Sequence, residues 1–131
     1  MFVIHPPNQS LATLPGLYML YLGIQRFRFL HVHQKTAFPW KRHVVLGIIC
    51  LLAWLASFPG GMLVVRRAWG VMLQSGPHAQ FAIFMVPLIL FGLISGLDIN
   101  SSKKKRTLLP LLHGINNLVV LIPAFNQARI G

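Results

Sequence analysis

Four of the six histidines in this chain stand close to the start of a long apolar segment, and each has a proline nearby. Proline is favoured in the first turn of a helix, so each of these histidines marks the beginning of a predicted helix. A neutral imidazole can bind a metal ion, and near neutral pH it can also carry a proton. The four histidines are His5, His43, His78 and His113.

The composition is that of an integral membrane protein. Of the 131 residues, 55% are hydrophobic and only 10% are charged, which leaves too little polar surface for a soluble domain. Twelve lysines and arginines accompany a single acid, Asp98. Because these cations lie between apolar segments and have no aromatic-basic stripe beside them, no nucleic-acid partner is expected. Cys50 is the only cysteine, so neither a disulfide framework nor a CxxC metal site is available.

Four segments are long and apolar enough to be membrane helices. A lipid core about 30 Å thick needs about 20 apolar residues as helix, because lipid offers no partner to an unpaired backbone group. The segments cover residues 7–25, 39–58, 78–97 and 110–128, and the first is the weakest because its opening turn is polar. The sequence therefore predicts one all-α transmembrane domain over residues 1–131, a four-helix up-down-up-down bundle.

The connection between the second and third helices is too long for a tight turn. Residues 62–76 place apolar side chains around the Arg66 and Arg67 pair, with Trp69 nearby. This pattern predicts a short amphipathic helix in the membrane interface, with the tryptophan at headgroup depth. The alternative is a plain extension of the second helix.

The basic residues orient the bundle. If the helices alternate in direction, nine cations lie at one end and three at the other. The nine are Arg26, Arg28, Lys35, Lys41, Arg42, Lys103, Lys104, Lys105 and Arg106. The positive-inside rule assigns that end to the cytoplasm. We therefore expect an integral protein of the cytoplasmic or an equivalent membrane, with both termini on the non-cytoplasmic side.

The alternating topology also pairs the histidines. His5 and His78 would share the outer layer of the bundle, and His43 and His113 the inner layer. Each pair joins helices that lie diagonally across a four-helix bundle, where two side chains can face one another through the core. A planar cofactor between them would take both as axial ligands, and two imidazoles on one haem iron suit electron transfer. Zinc fits less well, because no thiolate or carboxylate completes its ligand set.

The neighbours of the inner pair agree with a flat cofactor. Gly47 lies one helical turn after His43, and Gly114 follows His113, so a macrocycle could approach the backbone there. Asn117, beside Asn116, would face the core and orient an imidazole or contact a quinone carbonyl. Cations that could meet haem propionates are Lys35, Lys41, Arg42 and Arg106. Small residues also serve plain helix packing, and cations at a cytoplasmic helix end need no cofactor.

Three stretches carry a resemblance to a known family: FPWKRHVVLG, PHAQF and LLHGINN. Together with a histidine opening each segment, they resemble transmembrane b-type cytochromes of the ascorbate-reducible and ferric-reductase-like kind, and especially a small four-helix relative. The resemblance covers nearly the whole chain. It implies one or two haems b and electron transfer through the membrane. His43 with His113 would hold one haem, and His78 with a partner the other.

Two other motifs have plainer interpretations. His31 and His33 form an HxH in a connecting segment, where solvated histidines are the usual case. Gly92 and Gly96 form a GxxxG beside Ser95, which is typical of a helix contact within a bundle or with another subunit.

Three functions remain open from the sequence. The first is a haem b carrier that passes electrons between a quinol pool or redox partner and an acceptor. The second is a cofactor-free accessory subunit of a larger membrane complex, whose basic loops would bind anionic lipids. The third is a pigment-binding, antenna-like protein. No soluble substrate is indicated, and with one acid in the chain any enzymatic activity would be redox chemistry. A reducible b-type spectrum, a colourless preparation and far-red absorption would separate the three.

Overall fold

Four helices account for almost all of the structure. The computed structural model describes residues 5–71, 76–102 and 104–130, with the backbone alone for residues 5–10, 12 and 127–130. The helices are α1 (His5–His31), α2 (Trp40–Trp69), α3 (Pro77–Ser101) and α4 (Leu108–Ile130). Within these residues there is no β-strand. The expected all-α bundle is confirmed, and every helix extends beyond the apolar segment that predicted it.

The helices form a closed ring of neighbours. α1 packs on α2 and α4, and α3 packs on the same two helices. Among the described residues, no Cα atom of α2 lies within 8 Å of one in α4, and the same holds for α1 and α3. The two odd-numbered helices therefore face each other diagonally, as do the two even-numbered ones. This is the arrangement expected of an up-down-up-down bundle.

Three helices are long and apolar enough to cross a membrane. In the described part of the chain these are α2, α3 and the Leu108–Asn126 portion of α4. α1 does not meet this measure, because its first turns are polar and Arg26 and Arg28 lie near its end. The outer faces of the helices carry many exposed, large apolar side chains, for example Ile49, Ile94 and Ile122. Such a surface is stable in lipid and unfavourable in water.

In the described part of residues 62–76 the separate interfacial helix is not observed, and this part of the prediction was wrong: residues 62–69 belong to α2, which is the alternative extension. α2 continues through Pro59 and the two following glycines to Trp69, so Arg66 and Arg67 lie in its last turn. Proline and glycine interrupt helices in water, whereas in lipid an unpaired backbone group costs several kcal/mol and the chain stays helical. α2 ends at Gly70, whose positive φ of 74° allows its N–H to donate to the Arg66 carbonyl.

The centre of the bundle is a tightly packed apolar cluster. Val120 is completely buried, and around it lie Cys50, Leu51, Trp54, Met85, Ile89, Leu121 and Ala124. α1 reaches this cluster at Gly16. A Cβ atom at that position would lie 2.9 Å from Leu121 Cδ2 and 3.0 Å from Trp54 Cη2. The missing side chain therefore lets α1 approach α2 and α4 together.

Replacing Gly16 by leucine is expected to destabilise the bundle by about 1–3 kcal/mol, because the added side chain overpacks the contact with Trp54 and Leu121. The matched control is Gly23→Leu on the same helix, where an added Cβ meets no atom within 4 Å. The free energy of unfolding in detergent, followed by circular dichroism, measures both. Equal stability of the two variants would contradict this account of α1 packing.

Candidate functional site

The structure brings His43 and His113 together across the core. Their ring centroids are 6.5 Å apart, and the ring planes meet at 73°. His43 lies in the first turn of α2, and His113 in the second turn of α4. Because these helices are diagonal to each other, the two imidazoles reach into the bundle from opposite sides. The pair lies at the end of the bundle where the basic residues are concentrated.

The His113 ring contacts two polar side chains. The Ser95 hydroxyl oxygen is 2.9 Å from Nδ1. The side-chain nitrogen of Asn117 is 3.0 Å from Nε2 and 3.4 Å from Nδ1, so it lies against the ring face. Asn117 is one helical turn after His113 on α4, so its amide reaches back to the imidazole, whereas Ser95 belongs to α3.

Two glycines of α3 make this approach possible. A Cβ atom on Gly96 would lie 3.0 Å from His113 Cε1. A Cβ atom on Gly92 would collide with the Asn117 side-chain oxygen and lie 3.2 Å from the Asn116 side-chain nitrogen. The GxxxG spacing therefore forms the contact between α3 and α4, as the sequence indicated. The sequence did not lead us to expect that these glycines also let Asn116, Asn117 and His113 lie against α3. The GxxxG spacing beside Ser95 was the signal that could have indicated it.

Asn116 stabilises the α3–α4 interface by a hydrogen bond to the α3 backbone. Its side-chain nitrogen donates to the Leu88 carbonyl oxygen at 2.9 Å. Amides at membrane depth are unfavourable unless they are paired, which is why both asparagines were expected to face the bundle interior. Both are partly buried in the contact with α3. The Asn117 side-chain oxygen, in contrast, is buried without a hydrogen-bond partner.

His43 has different surroundings. Its ring lies 5.4 Å from the Phe38 ring, measured between centroids. Its Nδ1 is buried and has no hydrogen-bond partner. Gly47, one turn later, and Gly114, after His113, would each place a Cβ in open space, since no atom lies within 4 Å. Packing within the described protein therefore does not require glycine at either position.

The second predicted pair is only half described. His78 lies in the first turn of α3 and is partly buried. His5 is the first residue of α1, but its side chain lies outside the described residues. The pairing of these two histidines stays a prediction.

The basic residues near the site have protein contacts of their own. Arg106 forms an ion pair with Asp98, the only acid of the chain, and donates to the Ser102 hydroxyl at 3.0 Å. The Lys41 ammonium lies 5.9 Å from the centre of the Trp40 ring, and Arg42 is exposed beside it. The Arg106–Asp98 pair joins the connection before α4 to the last turn of α3. The proposed contacts of the basic residues with propionates stay a prediction.

The remaining histidines lie away from the core. His31 is exposed and packs against the Phe27 ring at a centroid distance of 4.8 Å. His33 is exposed in the connection between α1 and α2, with a φ of 54°. Across the described ranges, no group of three or more histidine, cysteine or acidic side chains is placed to hold a metal ion.

No protein-family model matches this sequence, and neither the curated proteins nor the solved structures contain one with significant similarity to it. The functional interpretation consequently depends on the residues and their geometry.

Replacing Gly96 by alanine is expected to displace the His113 ring and to destabilise the bundle by about 1–3 kcal/mol, because the new Cβ overpacks the ring edge. Gly114→Ala is the matched control next to His113, since its Cβ meets open space. Both variants gain the same helix propensity, which leaves the packing difference visible. Unfolding in detergent measures the effect, and a Gly96 variant as stable as the Gly114 variant would refute it.

Proposed function

We propose that this chain is a membrane-embedded electron-transfer protein that holds haem b between His43 and His113. The observation that carries the proposal is the inner pair itself: two imidazoles from diagonal helices whose ring centroids are 6.5 Å apart. Diagonal placement matters because it leaves the two ligands on opposite faces of anything bound between them.

The separation of the rings supports an axial pair. Metal–nitrogen bonds of about 2 Å place the centroids of two imidazoles on opposite sides of one ion roughly 6 Å apart. The observed centroid distance is 6.5 Å. The buried, unpartnered Nδ1 of His43 also suits a bound group. The donor chemistry and spacing thus fit haem iron.

The residues around the proposed haem have separate roles. A bound haem would supply one-electron redox chemistry, and ligation by two histidines would suit electron transfer rather than substrate binding. His43 and His113 would supply those ligands. Ser95 and Asn117 hold the His113 ring in orientation. The packed apolar cluster that begins at Cys50, about two helical turns after His43, keeps water from the interior.

The charge distribution suggests how the protein sits in its membrane. We place the basic end, and with it the inner histidine pair, on the cytoplasmic side, because lysines and arginines concentrate there. Both termini then lie on the opposite side. The exposed cations of this end would contact anionic lipid headgroups. A quinol pool or another redox subunit is the proposed source or acceptor of electrons.

One observation favours a second candidate. His113 already has a polar partner on α3, the Ser95 hydroxyl oxygen 2.9 Å from Nδ1, so it contributes to the α3–α4 contact without a cofactor. An accessory subunit that contributes helices to a larger membrane complex would need no more than this. The two candidates differ in whether the purified protein carries haem.

The proposal predicts that His43→Ala and His113→Ala each abolish the same haem signal, because either change removes one of two axial ligands. His31→Ala is the control, since this exposed side chain lies away from the core. The measurement is a reduced-minus-oxidised spectrum with haem quantified per polypeptide. A colourless wild-type preparation from haem-replete cells would overturn the proposal in favour of the accessory subunit.

The orientation is tested separately by single-cysteine labelling. In a Cys50→Ser background, Thr107→Cys at the basic end is expected to react with a membrane-impermeant maleimide only after the cells are permeabilised. Val71→Cys, at the other end of α2, is expected to react in intact cells. Both positions are exposed. The reverse labelling pattern would invert the proposed topology without affecting the haem assignment.

A further inference from the structure

Ser95 is a buried polar residue that contacts His113, one of the two histidines proposed to bind haem iron. It lies on α3 with 4% of its surface exposed. Its hydroxyl oxygen is 2.6 Å from the Phe91 carbonyl oxygen, 3.3 Å from the Gly92 carbonyl oxygen and 2.9 Å from His113 Nδ1. A serine hydroxyl has one proton to donate and can accept in addition. The three neighbours therefore compete for a single proton.

The distances decide where that proton goes. A separation of 2.6 Å between two oxygens is the length of a good O–H···O hydrogen bond. Without a proton between them, two oxygens that close would repel each other. The Ser95 hydroxyl therefore donates to the Phe91 carbonyl, and its oxygen is left to accept from His113 Nδ1.

The protonation of His113 follows from this assignment. A neutral imidazole carries one N–H, so a proton on Nδ1 leaves Nε2 with a free lone pair. The Asn117 side-chain nitrogen lies 3.0 Å from Nε2 and 3.4 Å from Nδ1, so it sits against the ring face and does not occupy that in-plane lone pair. Each of the two hydrogen bonds made by the Ser95 hydroxyl then has one donor and one acceptor. The order runs from His113 to Ser95 and from Ser95 to the Phe91 backbone.

We propose that Ser95 is a positioning residue that holds His113 in the tautomer protonated at Nδ1, which keeps Nε2 available as a metal ligand. Histidines that bind metals commonly donate their other ring N–H to such a partner, which fixes both tautomer and ring orientation. The consequence for haem binding rests on the proposed function. The tautomer itself does not, because it follows from the hydrogen bonds alone.

A competing arrangement makes the proposal falsifiable. If Ser95 donated to Nδ1 instead, the proton of His113 would sit on Nε2. Nε2 could not then bind a metal without rearrangement. The two arrangements differ in which ring nitrogen carries hydrogen, a difference that nitrogen chemical shifts report directly.

The first experiment uses the full-length wild-type chain in detergent, with ¹⁵N-labelled histidine, from cells that cannot supply haem. The His113 signals are identified by their disappearance in His113→Gln. A protonated Nδ1 and an unprotonated Nε2 are expected. A protonated Nε2 in the wild-type protein would overturn the proposal without any variant of Ser95.

The second experiment compares three serine variants. Ser95→Ala is expected to shift His113 towards the Nε2-protonated tautomer and to weaken haem binding by about 10–100-fold, the usual effect of losing such a partner. Ser95→Thr restores both, because threonine can also bond the carbonyl one turn earlier. Ser57→Ala is the matched control, since Ser57 donates to the Ala53 carbonyl at 2.8 Å in the same pattern on α2. An unchanged tautomer in Ser95→Ala would overturn the role of Ser95.

The failure of the proposed function has a different signature. If the wild-type protein shows the expected tautomer but binds no added haem, the electron-transfer proposal fails while the assignment of the His113 proton to Ser95 stands.

Discussion

The close approach of α3 to α4 at Gly92 and Gly96 is the contact on which the site depends. Without side chains at these two positions, the polar groups of α4 can lie directly against the α3 backbone. His113 then reaches Ser95, and Asn116 reaches the Leu88 carbonyl. Lipid is as apolar as the side chains, so the hydrophobic effect does not drive helices together within a membrane. Close backbone approach and polar pairing therefore contribute much of the free energy of helix association.

The same contact determines what His113 can do. The imidazole contacts Ser95 at Nδ1 and the Asn117 amide nitrogen at its ring face, so its rotation is restricted. His43 is held less firmly, beside Phe38 and with Nδ1 unpartnered. The two histidines of the pair are therefore unequal. A group bound between them would find one ligand oriented in advance and one that is freer to adjust.

Much of the fold could be predicted from the composition and from the lengths of the apolar segments. Four apolar segments of membrane length predicted four helices, and alternation placed His43 and His113 on diagonal helices at one end. The helix boundaries and the connection after α2 did not follow. Proline and glycine at positions 59–61 are typical helix breakers in water, and the environment that overrides them is lipid, which penalises every unpaired backbone group.

Local composition and spacing were enough to predict an all-α chain with apolar helices of membrane length, basic connections after the first and third of them, and a histidine near the start of each helix. That Gly96 and Ser95 contact His113, while Gly47 and Gly114 meet open space, became apparent in the folded chain alone. A helical pattern shows which residues share a face, but the rotation of one helix against another decides which face meets a neighbour. That rotation is set by side-chain packing across the whole bundle, and no single segment of the chain encodes it.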